Sequence, residues 1–538
     1  MIQNPILPGF NPDPSFLRVG EDYYIATSTF EWYPGVQIHH SRDLANWTLV
    51  SRPLSRASQL DMRGNPDSCG VWAPCLSHAD GLFWLVYTDV KRFEGSFKDA
   101  HNYIVTSPSI EGPWSDPVYV NSSGFDPSLF HDDDGRKWFV NMQWNHRRKA
   151  NNTIGKHPAF DGILLQEWDS KANRLTGPTR NIFAGSPLGL VEAPHLFKRD
   201  GWYYLTTAEG GTGYEHAVTM ARSRKIDGPY ELHPNQYLIT SKDNPEAELQ
   251  RSGHGQYVET AEGEVYHTHL CGRPLAPKRR CTLGRETGIQ KCVWKDDGWL
   301  YLEQGGVVPA VDVPALKGAV TLPEAAEILR TFDTPELPSE FQWLRTPQPD
   351  RIFSLTERAG HLRVIGRESI GSWFEQALVA RRQEHHRFRV ETRLDFSADT
   401  YQQVAGITHY YNRYKFHALG LSTDEELGRC LIILSVPGDY PAGKLTFPIG
   451  QGIAIGHGSV DLAMEVIDND LQFFWRSAAD AGGDWQAIGP VLDAGVVSDE
   501  GGFGEHGSFT GAFAGMFAFD ITGQAKPADF DHFLYRRL

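Results

Sequence analysis

Three acidic residues occupy matching places in a recurring motif. Asp13-Pro14-Ser15, Asp126-Pro127-Ser128 and Glu192-Ala193-Pro194 each put a carboxyl at the head of a short segment that runs through a turn into an aromatic strand. Such a set can perform acid–base work on an acetal. A protonated carboxyl donates to the leaving oxygen, and an ionised one acts as base on water or as nucleophile. A third, close by, raises the acid's pKa by like-charge repulsion and holds its orientation. Asp-Pro-Ser alone is an ordinary turn signal whose Asp caps local backbone. Three acidic heads at one place in a repeat favour the chemical reading.

The elements that must position these carboxyls recur five times. Asp13-Pro14-Ser15-Phe16 leads to Tyr23-Tyr24-Ile25, and Trp72-Ala73-Pro74-Cys75-Leu76 leads to Phe83-Trp84-Leu85. Asp126-Pro127-Ser128-Leu129 leads to Trp138-Phe139-Val140, and Glu192-Ala193-Pro194-His195-Leu196 to Tyr203-Tyr204-Leu205. A weaker fifth copy runs from His254-Gly255-Gln256 to Val265-Tyr266. The period is roughly 55–65 residues, within reach of a propeller blade. Turn signals such as Asp80-Gly81, Asp134-Gly135 and Asp200-Gly201 divide the units into hairpins. A second marker closes three of them: Ser41-Arg42-Asp43-Leu44 before Trp47, Ser107-Pro108-Ser109-Ile110 before Trp114, and Ser223-Arg224-Lys225-Ile226 before Tyr230. Units that cannot bury their aromatic faces singly close into a ring with few exposed edges. The expected fold is a five-bladed β-propeller, with Asp13, Trp72, Asp126, Glu192 and His254 converging on one end of its axis.

At 538 residues the chain needs more than one core. Residues 1–310 carry the five units, and a Val-, Pro- and Ala-rich stretch over 311–332 reads as a linker, with a helical turn expected at Pro323–Leu329. Residues 333–538 alternate apolar and polar positions, as in His386–Leu394 and Asp461–Ile467, which suits a lectin-like β-sandwich. Gly501-Gly502-Phe503-Gly504 and Phe509-Thr510-Gly511-Ala512-Phe513 read as loops at one end of it. The class is all-β.

A net charge of −16 argues against nucleic acid and anionic membrane as partners. Six cysteines without metal-ligand spacing read as reduced, buried thiols. The N-terminus has no basic segment ahead of an apolar one, and no apolar run is long enough to span a bilayer. The expected location is cytoplasmic. Glu209-Gly210-Gly211-Thr212-Gly213 lacks the lysine and helix of a phosphate loop and reads as a loop near the site. Asp132-Asp133-Asp134 reads as a solvated hairpin turn.

The chain also resembles the two-domain β-xylosidases of glycoside hydrolase family 43 along essentially its whole length. The resemblance rests on Asn4–Ser15, Gly124–Leu129, Val191–His195, Cys271-Gly272-Arg273-Pro274 and Gly284-Arg285-Glu286-Thr287. It implies Asp13 as general base, Glu192 as general acid and Asp126 as the residue that tunes the acid, with inversion at the anomeric carbon. It implies that Arg285 binds sugar hydroxyls and pairs with a carboxylate, and that a sandwich loop carrying Phe509 reaches the pocket mouth. Trp72 and Phe30 are the aromatic walls expected against the C–H faces of a sugar. Relatives place a histidine near His254 towards an axial cation, so Ca²⁺ is weighed there against a hydrogen-bonded core imidazole. The expected substrate is a short β-1,4-xylo-oligosaccharide cut from its non-reducing end by a homo-oligomer, dimer or tetramer. Rivals are an α-L-arabinofuranosidase on the same scaffold, a retaining fructosidase and a carbohydrate-binding propeller without catalysis. The fructosidase would want Asn-Asp-Pro-Asn where this chain has Asn-Pro-Asp-Pro-Ser.

Overall fold

The computed structural model describes residues 1–147, 159–438, 444–480, 482–502 and 508–538. Phe503 and Gly504 of the first glycine-rich loop lie outside the described residues. Five antiparallel sheets follow one another along the first domain. Blade one comprises Ser15–Val19, Asp22–Thr27, Gln37–Ser41 and Thr48–Ser51, and blade two Gly70–Ala79, Leu82–Arg92, Asp99–Ser107 and Val118–Asn121. Blade three runs from Ser128–His131 to Arg174–Phe183, blade four from Glu192–Arg199 to Glu231–Thr240, and blade five from Gln250–Gly253 to Leu300–Leu302.

The blade-closing marker is one device used three times. Ser41 Oγ accepts from the amides of Asp43 and Leu44, and Trp47 Nε1 donates to the Leu44 carbonyl. Ser107 and Ser223 accept in the same way from Ser109 and Lys225, while Trp114 and Tyr230 donate back to Ile110 and Ile226. Each serine satisfies amides that leave the ladder, so the chain turns without orphaned donors. Asp132 departs from the expected solvated turn. It is buried, accepts from Tyr203 Oη at 2.8 Å and Lys198 Nζ at 3.1 Å, and so ties blade three to blade four.

The ring closes through the N-terminal segment. Ile2–Gln3 pairs with Asp312–Val313, Leu7 bridges to Thr287, and the Asn11 amide donates to the Arg285 carbonyl. The expected helical turn at Pro323–Leu329 is absent. Glu327–Thr331 is instead a strand paired with His532–Arg536, where the ladder of the second domain outweighs a weak local preference.

That second domain is a two-sheet sandwich. One edge of it is borrowed from the propeller: Trp32–Tyr33, from a blade-one loop, pairs with Trp343–Leu344. Trp32 stacks on Phe513 with ring centroids 3.7 Å apart, and Arg382 Nε donates to the Phe10 carbonyl at 2.6 Å. Asp67 of the propeller takes Arg345 and Arg413 of the sandwich, both at 2.9 Å. Apolar cores cross the boundary as well, joining Phe30, Trp32 and Trp72 to Phe513 and Phe517.

Candidate active site

The inner strands meet at a ring of small polar side chains. Ser15 Oγ donates to Gln256 Oε1 at 2.9 Å, Ser128 Oγ to the Pro194 carbonyl at 2.6 Å, and Cys75 Sγ lies 3.8 Å from His195 Nδ1. Two residues before Ser15, Cys75, Ser128, His195 and Gln256 the chain turns at positive φ: Asp13 (58°), Ala73 (36°), Asp126 (54°), Ala193 (49°) and His254 (39°). These five are the equivalent positions, which corrects the register inferred from sequence. Trp72 and Glu192 stand one residue earlier, on strand extensions that pair with Thr88 and Ala208 before a bulge. An extra residue on one strand re-aims the side chains beside it. The bulges thus bring Trp72 and Glu192 to the same cavity as Asp13, Asp126 and His254.

That cavity, of about 190 Å³, is lined by all eight residues singled out from sequence: Asp13, Phe30, Trp72, Asp126, Glu192, His254, Arg285 and Phe509. It is smaller than the ~300–1,000 Å³ common for drug-sized ligands, a space for one small ring. Gly211 and Thr212 of the glycine-rich loop also face it. Lys98, Phe93, Phe125 and Phe160 were missed. A lysine in a polar loop reads as solvated. Lys98 is instead packed over Trp144, 4.3 Å from the ring centroid, and donates to the Phe93 carbonyl. Burial lowers its pKa to about 8, against the pull of Glu192. The aromatic residues carried no signal that set them apart from blade core.

Asp13 is gripped by donors. Ser28 Oγ donates to it at 2.6 Å and Arg285 Nη1 at 3.0 Å, with His254 Nδ1 at 3.6 Å. Ser28 Oγ also accepts from the Ala73 amide, which links the carboxylate to blade two. Glu192 lies in the opposite regime. Burial and the charge of Asp13 push its pKa up to about 8. Among the described residues, no hydrogen bond from the protein engages its carboxyl. Asp126 is also raised well above the usual range, by burial and then by Glu192 and Asp13, although the Ala193 amide donates to it. Glu192 and Asp126 therefore titrate as a pair that keeps a proton near neutrality.

The aromatic walls are fixed from both domains. Trp72 Nε1 donates to the Ser68 carbonyl, and its ring meets Phe30 at 5.8 Å, Phe125 at 5.5 Å and Phe509 at 5.9 Å. Phe509 accepts at its carbonyl from Arg285 Nη2 and donates its amide to Ser68 Oγ. Arg285 thus touches both Asp13 and the sandwich loop. His254 is buried and its pKa is depressed to about 3 by burial and then by Arg285, so it is a neutral imidazole. Calcium takes six to eight oxygen ligands. The one carboxylate beside His254 is already engaged by Ser28 and Arg285, and among the described residues no three His, Cys, Asp or Glu side chains form a metal-binding group. A cation at His254 stays an inference from the resemblance, to be checked by elemental analysis and chelation, and no step below uses one.

A five-bladed propeller with three buried carboxyls in a small aromatic pocket, closed by a sandwich, defines a glycoside hydrolase. Residues 2–300 match the model of glycosyl hydrolases family 43, and residues 330–536 that of the β-xylosidase C-terminal concanavalin A-like domain. The chain belongs to glycosyl hydrolase family 43 and carries both domains of its β-xylosidase branch. It is 61% identical over 538 residues to xylosidase/arabinosidase 43B of Humicola insolens, covering 99% of this chain and 97% of that one. It is 47% identical to a β-xylosidase of Bacillus subtilis, over 99% of each. The crystal structure of a xylan β-1,4-xylosidase from Bacillus halodurans superposes with a TM-score of 0.95 at 50% identity, over the full length of both chains.

Proposed function

We propose that this protein is an exo-acting β-xylosidase that releases D-xylose from the non-reducing end of β-1,4-xylo-oligosaccharides. The observation that carries the reading is a single-ring cavity holding one carboxyl gripped by Ser28 and Arg285, Asp13, beside another whose pKa is pushed up to about 8, Glu192. The terminal sugar sits against Trp72, Phe30 and Phe509, with hydroxyls towards Arg285. Glu192 gives its proton to the glycosidic oxygen as the C1–O bond breaks. Asp13 takes a proton from the water whose oxygen attacks C1 from the opposite face, so the anomeric centre inverts in one displacement, as in the family. Asp126, itself raised well above the usual carboxylate range, stands beside the acid and takes the tuning and orienting role that the resemblance implies.

Release of xylose from xylobiose, with α-xylose appearing first by NMR, tests the reading. A β-configured first product, or binding without turnover, would overturn it. We infer an α-L-arabinofuranosidase side activity, since the two pentoses place similar groups around the reacting carbon; the Humicola relative is named a xylosidase/arabinosidase. The setting we infer is cytoplasmic, in keeping with six free, buried cysteines, and cell fractionation checks it. A homo-oligomer is inferred from the resemblance alone. A monomer in sedimentation velocity at working concentration would refute it.

A further inference from the structure

Thr212 and Phe509 face the cavity from different domains, Thr212 from the propeller and Phe509 from the sandwich. A buried polar chain joins them outside the site. Arg251 of blade five, 1% exposed and at φ 56°, donates from Nε to the Thr212 carbonyl at 2.9 Å. Its Nη1 pairs with Asp499 at 2.9 Å and Glu500 at 3.0 Å, both on the sandwich. Asp499 accepts from Tyr411 Oη, and that oxygen accepts from the Thr510 amide at 2.9 Å, next to Phe509. Lys415 Nζ reaches the Ser498 carbonyl and Ser508 Oγ, so the residue on the other side of Phe509 is fixed from the same direction.

We propose that Arg251 and Tyr411 are positioning residues that set the separation of the Thr212 and Phe509 walls and thereby the fit of the terminal sugar. The proposal deepens the β-xylosidase reading and rests on it. Neither side chain lines the cavity. The charges of Arg251 and Asp499 are buried, so the chain is costly unless paired, and a paired buried network holds one geometry rather than several. One end terminates on the backbone of the wall residue Thr212 and the other on that of Thr510, next to the wall residue Phe509, where a shift of a fraction of an ångström changes sugar contacts made alike in ground and transition states. Loss of such contacts raises KM more than it lowers kcat.

Two variants test this in the full chain. Tyr411→Phe removes one oxygen from the centre of the chain, and Arg251→Lys keeps the charge for Asp499 while losing the bond to Thr212. Each should raise KM for xylobiose by about fivefold or more while kcat stays within about twofold. In the unmodified protein, the Phe509 and Thr510 amides should be among the slowly exchanging hydrogens. A fall in Tm with KM and kcat unchanged in either variant would overturn the positioning role, as would rapid exchange of both amides. If both variants fail to fold, the exchange result decides alone. Failure of the unmodified enzyme to release xylose would instead refute the β-xylosidase reading, which separates the two.

Discussion

Asp13, Asp126 and Glu192 are all buried carboxyls, yet their surroundings assign them different tasks. Ser28 and Arg285 donate to Asp13, whereas Glu192 has burial and a neighbouring charge and keeps its proton up to about pH 8. Activity that needs the protonated acid is therefore present below that value and is lost as pH rises through it. Glu192→Ala should lose about 10³-fold or more on xylobiose, whose leaving alkoxide is poor, and far less on an activated aryl xyloside. Its basic limb should flatten. Equal losses on the two substrates would reverse the roles of acid and base. Asp126→Asn removes a partner charge from the coupled pair, so the basic limb should move to lower pH. A limb left in place would show that Asp126 carries no charge in the working range. In sequence, three acidic heads marked this chemistry, but their register did not. Asp13 and Asp126 are turn residues while Glu192 precedes its turn, and only the bulge before His195 brings it into line.

At the scale of elements, the segment Ser508–Ala512 meets the turn Cys281–Arg285 with no room to spare. Gly284 has φ 72°, and a Cβ there would stand 2.3 Å from the Thr510 carbonyl oxygen and 2.8 Å from Gly511 Cα. Gly284→Ala combines a left-handed backbone, which costs an alanine ~1–2 kcal/mol, with overpacking against rigid backbone that adds ~1–3 kcal/mol. The strain falls on the segment that bears Phe509. We expect kcat/KM to fall about tenfold or more together with Tm. A variant with full activity and only a lower Tm would show that the contact serves stability alone. Gly284 was visible in sequence as part of a family motif. Its partner lies more than 200 residues away, which local pattern cannot express.

For the molecule as a whole, the sandwich is part of the enzyme rather than an appendage. It pairs with Trp32–Tyr33, buries Trp32 against Phe513 and supplies Phe509 to the cavity. A chain ending near residue 325 would expose the Trp32 face, lose both partners of Asp67 and leave the pocket open on one side. It should be insoluble or inactive on xylobiose, not merely weaker on polymer. Full activity of the isolated propeller would refute this. By itself, the sequence determined the five-fold β repeat, the aromatic blade core, the change of texture beyond residue 310 and the acidic heads. Those features are local, because alternation, turn residues and motif spacing act over a few residues. Tertiary structure alone decided the register of the heads, the burial of Asp132, the packing of Lys98 over Trp144, the strand at Glu327–Thr331 and the chain from Arg251 to Thr510. Each depends on which distant residue lies opposite, and burial and charge pairing between distant segments exist only once the ring and the sandwich have closed.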